Sequence, residues 1–279
     1  MSKLKEPLPY RARKWIFQHM PMRRQETQLQ RLSDTDWDIL IILDACGVDA
    51  LKSAAEWPIE TVRSPASCTP EWLTAVNRAD VLRDSHIVSA NAQYDKLNPG
   101  ETLERYWDEH WDHGLSTVRP EPVLDRVDEI AGSKQVVAHL QQPHWPYVAK
   151  LDSSWKTAYS NLGPWEAEDG RIDSVQVAMA RGLIDVSSAR QAYLASVCSV
   201  WQTLVPYVSE WSEQSLTVVV TADHGEVFGG IREFGFYEHP CGCHIPRLVH
   251  VPWIEITQQS NTETGSSVED RLRALGYAE

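Results

Sequence analysis

A chain of 279 residues with a formal charge of −13 is long enough to bury one large core and too acidic for nucleic-acid binding to be its main business. Five cysteines (Cys46, Cys68, Cys198, Cys241 and Cys243) form no paired secretory framework, and the opening MSKLKEPLPYRARKW lacks an apolar signal core, so a cytoplasmic protein is expected. No apolar run approaches the ~20 residues of a membrane-spanning helix.

In chain order, the first thirty-one residues hold eight of the 26 Lys and Arg. This basic segment, 1–30, suits contact with an anionic membrane or partner, but the favoured expectation is a peripheral helix packed through Trp15, Ile16 and Phe17 with its charges solvated. Ile39 to Leu43 is an unbroken apolar run ending in Asp44-Ala45-Cys46, which predicts a buried strand with an acid at its tip. Asp49 to Trp57 reads as a helix and Thr61 to Ser64 as a short strand. Pro70 fits the first position of a helix capped by Thr69, so Ser67, Cys68 and Thr69 lie where a helix N-terminus favours anions and thiolates.

His86 to Ala90 predicts a third strand, and 91–122 a polar excursion over the sheet. Gln135 to Leu140 predicts a strand that ends in Gln141-Gln142-Pro143-His144-Trp145-Pro146-Tyr147, where two prolines hold His144 in extended chain. Residues 150–170 show no strong periodicity and read as a surface insertion. Leu194, Val197, Trp201, Leu204, Val208 and Trp211 recur at steps of three and four, the stripe of a long amphipathic helix that Pro206 should kink. The β-branched run Thr217 to Thr221 then delivers Asp223 and His224 to a strand's carboxyl end. Glu238-His239-Pro240-Cys241-Gly242-Cys243-His244 follows, then a strand over Leu248 to Ile256 and a short terminal helix over Val268 to Leu275.

Strands alternating with helices, without obvious hairpin turns, predict a single α/β domain over 1–279 with a mostly parallel sheet covered on both faces. Sites in such sheets form at the carboxyl ends of the strands. Asp44, Asp223 and His224 make a hard-cation or zinc ligand set, and they converge only if their two strands lie close in one sheet.

ILIILDAC, SCTPEWL, QQPHWPY, VVVTADHGE and VEDRLRALGY together resemble, in their order, the alkaline phosphatase superfamily, most closely its sulfatase-like branch. The resemblance implies a three-layer sandwich and a metal-assisted nucleophile that attacks a sulfate or phosphate ester and is then freed by water. Asp44, Asp223 and His224 match metal ligands of that family. Its sulfatase pattern C-x-P-S-R and a related phosphodiesterase pattern place the attacking atom at Cys68. Thr69 and Ser67 stand beside it as hydroxyl alternatives. Glu71 and Trp72 occupy the Ser and Arg positions, so conversion of Cys68 to formylglycine is not expected.

His144 resembles the family's ligand of the non-bridging ester oxygens, against a plain reading as an edge-of-core residue. His239 and His244 flank Cys241 and Cys243 and offer a second metal site, a grip on the leaving group or a structural zinc knot; His239 is the better catalytic choice. Ala45 stands where the pattern has a second acid, so one divalent ion (Ca, Mg, Mn or Zn) is expected rather than two. The expected activity is hydrolysis of a small-molecule or glycan sulfate or phosphate ester. Two alternatives stand beside it: a catalytically silent binding protein, and a transferase moving a phospho-group between glycans or lipids.

Overall fold

The computed structural model describes residues 6–19, 27–96, 102–158 and 175–258. The terminal helix expected over Val268 to Leu275 lies outside them. The apolar runs behave as strand interiors should: β1 (Ile39–Asp44) and β10 (Val218–Ala222) are buried throughout and pair in parallel, with Leu43 opposite Ala222. That register sets Asp44 and Asp223 side by side at the carboxyl ends. The remaining strands of the seven-stranded sheet are β2 (Glu60–Arg63), β3 (His86–Ser89), β4 (Thr102–Arg105), β7 (Val136–Pro143) and β11 (His250–Ile256), in the spatial order β2, β11, β10, β1, β7, β3, β4. Every pairing from β10 through to β4 is parallel, and β11 is antiparallel to both β10 and β2.

The long stripe forms one helix, α8 (Val186–Glu213), which runs through Pro206 and is capped by the Asp185 carboxylate on the Ser187 and Ser188 amides. It packs with α3 (Val48–Ala54) and α6 (Pro120–Ile130) to form one helical layer on the sheet. On the other side, α2 (Gln28–Asp34) and α4 (Thr69–Ala79) meet where Trp72 Nε1 donates to Gln28 Oε1 at 3.0 Å. The three-layer α/β sandwich expected from the sequence is the architecture found.

Three expectations need correction. The polar stretch after Ala90 contributes β4 to the sheet edge and then α5 (Tyr106–Glu109) and the β5–β6 hairpin (Trp111–Asp112, Thr117–Val118). The described start of the 150–170 insertion is the second half of another hairpin, β8–β9 (Val148–Leu151, Ser154–Thr157), ahead of α7 (Val175–Ala180). Finally, α1 (Leu8–His19) packs through Tyr10 and Phe17 against the Val227 to Leu248 region, whereas Trp15 and Ile16 face solvent. Helical spacing places those two on the face opposite Tyr10.

Candidate functional site

Four chain segments meet at the carboxyl edge of the central strands. Asp44 ends β1, Asp223 and His224 follow β10, and His139 lies inside β7, one residue before Leu140, which the register sets beside Leu43. The fourth is the start of α4, which presents Thr69. His224 Nε2 lies 3.7 Å from Asp44 Oδ1 and 3.4 Å from Asp223 Oδ2. His139 Nε2 lies 3.9 Å from Asp223 Oδ2. One ligand atom each from Asp44, His139 and Asp223 falls within 4.8 Å of the others.

The outer atoms of this group are held in place while the inner ones are left over. Asn91 Nδ2 donates to Asp44 Oδ2 at 2.6 Å, and the amides of Ala45 and His224 donate to Asp223 Oδ1 at 3.1 and 2.8 Å. His224 Nδ1 meets the Gly225 carbonyl at 2.9 Å, and His139 Nδ1 meets the Tyr94 hydroxyl at 3.2 Å. Asp44 Oδ1, Asp223 Oδ2 and His139 Nε2 are buried without a hydrogen-bond partner among the described residues. Buried polar atoms without partners are costly, so three that face one another need a common counter-ion. Histidines oriented through their other nitrogen are a regular feature of metal sites.

Electrostatics agree with that donor set. Burial, then the adjacent Asp223 carboxylate, push the Asp44 carboxyl well above the usual carboxylate range, against the pull of Asn91. Burial would raise Asp223 too, but His224 and His139 outweigh it and hold its carboxyl down. Burial lowers His139 to about 4 and lowers His224 as well, which leaves both imidazoles neutral and able to give a lone pair to a cation. Two carboxylates and two neutral imidazoles fit a divalent ion such as zinc or manganese.

Glycine at 225 is required by this corner. A Cβ there would stand 2.2 Å from the Arg247 carbonyl oxygen, and the Gly225 amide already donates to Leu248 at 2.8 Å. The tight approach pins the chain just past His224.

The three candidate attacking residues separate. Cys68 is bonded to Cys241, so its sulfur is no free thiolate, and the expectation of unpaired cysteines is corrected. Ser67 Oγ turns to Glu71 and the Pro240 carbonyl. The helix begins at Thr69 with Cys68 in the cap position, so Thr69 is not the cap expected of it. Its Oγ1 lies 3.3 Å from His224 Nε2, and its hydroxyl is near enough to help hold down both the Asp44 and Asp223 carboxyls.

Around this lies a cavity of about 470 Å³ lined by Asp44, Thr69, Asn91, His144, His239 and Lys14, among others. The His239 ring lies 4.4 Å from that of His224 and 5.0 Å from that of His144. His239 Nδ1 faces Glu226 Oε2 at 3.3 Å, and His144 Nδ1 faces the Trp145 carbonyl at 2.6 Å. Burial lowers both histidines to about 4 and raises Glu226 to about 7. A larger cavity of about 650 Å³ between α3, α8 and the 226–234 segment contains none of the converging ligand atoms, and the chemistry decides for the smaller one.

His244 is not part of the group: its Nε2 pairs with Glu71 at 2.8 Å. With Cys241 in a disulfide, the zinc-knot alternative has lost a thiolate. Sequence reasoning missed His139, Asn91 and Glu226. For His139 a signal existed, a single polar residue within the buried run Val136 to Leu140.

No family model matches the chain, and no curated protein matches it. Among solved structures it is similar to the integral membrane lipooligosaccharide phosphoethanolamine transferase A of Neisseria meningitidis, with a TM-score of 0.55 and 14% identity over 96% of this chain and 57% of that one. The chain therefore spans little more than half of that protein's length. It is also similar to the soluble domain of lipooligosaccharide phosphoethanolamine transferase A from the same organism, with a TM-score of 0.52 and 14% identity over 86% of this chain and 81% of that one. What these likenesses establish is a shared fold.

The expected cytoplasmic location is overturned, since the matched structures are an integral membrane protein and a soluble domain of such a transferase. The Cys68–Cys241 disulfide is also a bond of oxidising compartments. Among the described residues no helix is long and apolar enough to cross a membrane.

Proposed function

We propose that the chain transfers a phospho-group from one ester to an acceptor hydroxyl through Thr69, on the non-cytoplasmic side of a membrane. The observation that carries this reading is the Thr69 hydroxyl, released from any capping duty and 3.3 Å from His224 Nε2 beside two buried, unpartnered carboxylate oxygens. Transfer is preferred to hydrolysis because the similar solved structures are called phosphoethanolamine transferases. A phosphate ester is preferred to a sulfate because the cysteine that a sulfatase would process is bonded to Cys241.

Asp44, His139, Asp223 and His224 are the residues that would hold a divalent ion. When bound, such an ion neutralises ester oxygens and favours the ionised Thr69 hydroxyl. Thr69 Oγ1 forms its bond to phosphorus while the bond to the leaving alcohol breaks, and that alcohol departs with a proton. In the second half an acceptor hydroxyl attacks the same phosphorus, gives up its proton and restores Thr69. His144 and His239, kept neutral by burial and with Nδ1 turned to the Trp145 carbonyl and the Glu226 carboxylate, leave Nε2 free to take up that proton and, once protonated, to donate it to the non-bridging oxygens. Glu226 orients His239 through Nδ1.

The test is an aryl phosphodiester assay with and without an alcohol acceptor, joined to mass spectrometry of the acid-quenched peptide that contains Thr69. A phospho-adduct on Thr69 and a product carrying the acceptor are expected. Release of free phosphomonoester alone, at every acceptor concentration, would make the protein a hydrolase. Absence of both metal and turnover would leave the silent binding protein.

A further inference from the structure

We propose that the outer face of α1 lies in the surface of an anionic lipid bilayer and holds the mouth of the Thr69 cavity at headgroup level. The helix has two faces of opposite use. Its inner face is fastened to the domain: Tyr10 donates to the Tyr237 carbonyl, Arg13 to the Phe234 carbonyl at 2.6 Å, Lys14 to Glu238 at 3.0 Å and Gln18 to the Cys241 carbonyl at 2.8 Å. Its outer face carries Leu8, Trp15 and Ile16, with exposures of 74%, 62% and 50%. Ile231, at 97%, and Phe234, at 46%, extend the apolar surface from the loop that α1 grips. So many large apolar side chains exposed on one short helix and the loop it grips are uncommon on a face meant for water.

Charge selects the occupant. Residues 1–31 hold eight Lys and Arg against two acids, Glu6 and Glu26, whereas the whole chain stands at −13; Lys14 and Arg31 are paired with glutamates and Arg13 is bonded to the Phe234 carbonyl, while Arg11 stays exposed on α1. Arg11 and Arg232 are exposed beside the apolar residues. A helix with Trp15 and Ile16 on one face and Arg11 at its rim, beside Arg232 of the loop, is suited to lie in the plane of an anionic interface. An acidic protein partner would meet the arginines but offer nothing to a fully exposed isoleucine, and the rest of this acidic surface is repelled by anionic lipid, so only this end can approach. The same helix reaches the site, because Lys14 lines the cavity that holds Thr69, as does Trp111, exposed by 40%. A bilayer seated on α1 would bring lipid-borne esters or acceptors to that opening.

The inference is independent of the transfer reading, since binding is measured without turnover. The full chain is sedimented with vesicles of phosphatidylcholine alone and of phosphatidylcholine with 30% phosphatidylglycerol. Binding is expected only to the anionic vesicles and should weaken steeply with salt. Trp15→Glu and Ile16→Glu should each reduce it at least tenfold, and Leu8→Glu serves if either folds poorly by circular dichroism. Thr69→Val should bind vesicles as the native chain does. The proposal is overturned if the native chain ignores anionic vesicles, if the glutamate variants bind undiminished, or if sedimentation velocity without lipid shows a dimer that Ile16→Glu dissociates, since a second copy would then cover this face.

Discussion

Thr69 Oγ1 and His224 Nε2 lie 3.3 Å apart, so the start of α4 and the tip of β10 share a hydrogen-bond distance although 155 residues separate them. Thr69→Val should therefore reduce turnover by at least about three orders of magnitude, while Thr69→Ser should retain a measurable fraction. Steady-state rates, with metal content measured by elemental analysis on the same samples, decide it. Full activity in the valine variant would remove Thr69 from the chemistry.

Metal affinity should depend on residues behind the ligands as well as on the ligands themselves. Asp223→Asn and His224→Ala should abolish stoichiometric binding. His139→Gln, which removes the unpartnered nitrogen itself, and Asn91→Ala, which frees the outer Asp44 oxygen, should weaken it by about tenfold or more and by about ten- to a hundredfold respectively. Titration with zinc and manganese under a competing chelator measures each. Unchanged affinity in Asn91→Ala would show that Asp44 is oriented by something else.

The disulfide joins residues 173 apart and ties the loop bearing His239 to the cap of α4. Cys68→Ser together with Cys241→Ser should lower unfolding free energy by roughly 2–4 kcal/mol, read from denaturant midpoints. Turnover should fall but persist. Its complete loss, with the metal retained and the fold intact, would return Cys68 to the chemistry.

Glu71 provides an acid-sensitive clamp. Burial alone would raise its carboxyl, but His244 and the amides of Ser67 and Gly242 outweigh it and hold it at about 2. A depressed carboxyl stabilises the fold fully above its unfolded value of 4.5, and that stability is lost as pH falls through about 2. Between pH 5 and pH 3 the native chain should thus lose on the order of 1–2 kcal/mol that Glu71→Gln does not lose. Urea midpoints at the two pH values give the comparison, and parallel losses would deny the clamp.

The inner strands were legible because a strand buried on both faces is an uninterrupted apolar run, as at Ile39 to Leu43 and Val218 to Ala222. β4 was not, since an edge strand with the sequence Thr-Leu-Glu-Arg has no such run. Asp44, Asp223 and His224 could be read because each stands directly after its run. His139 was missed although it is the polar interruption of its run, because its role comes from neighbours on β10. The Thr-Pro-Glu sequence at 69–71 carries the chemistry of a capped helix start, but the chain enters one residue earlier and frees the threonine. The pairing of Cys68 with Cys241 lies beyond sequence, since spacing does not determine connectivity.

β10 is the last parallel strand in the sequence, and yet it lies between β1 and β11 at the heart of the sheet. A ribosome therefore produces Asp44, Thr69 and His139 long before Asp223, and β1 waits with an open apolar edge until residues 218–222 emerge. A chain interrupted short of that point has neither its central strand nor two of its four converging donors. A metal held by these donors would then mark progress of synthesis: only a chain that has passed residue 224 can pair β10 with β1 and offer the whole donor set.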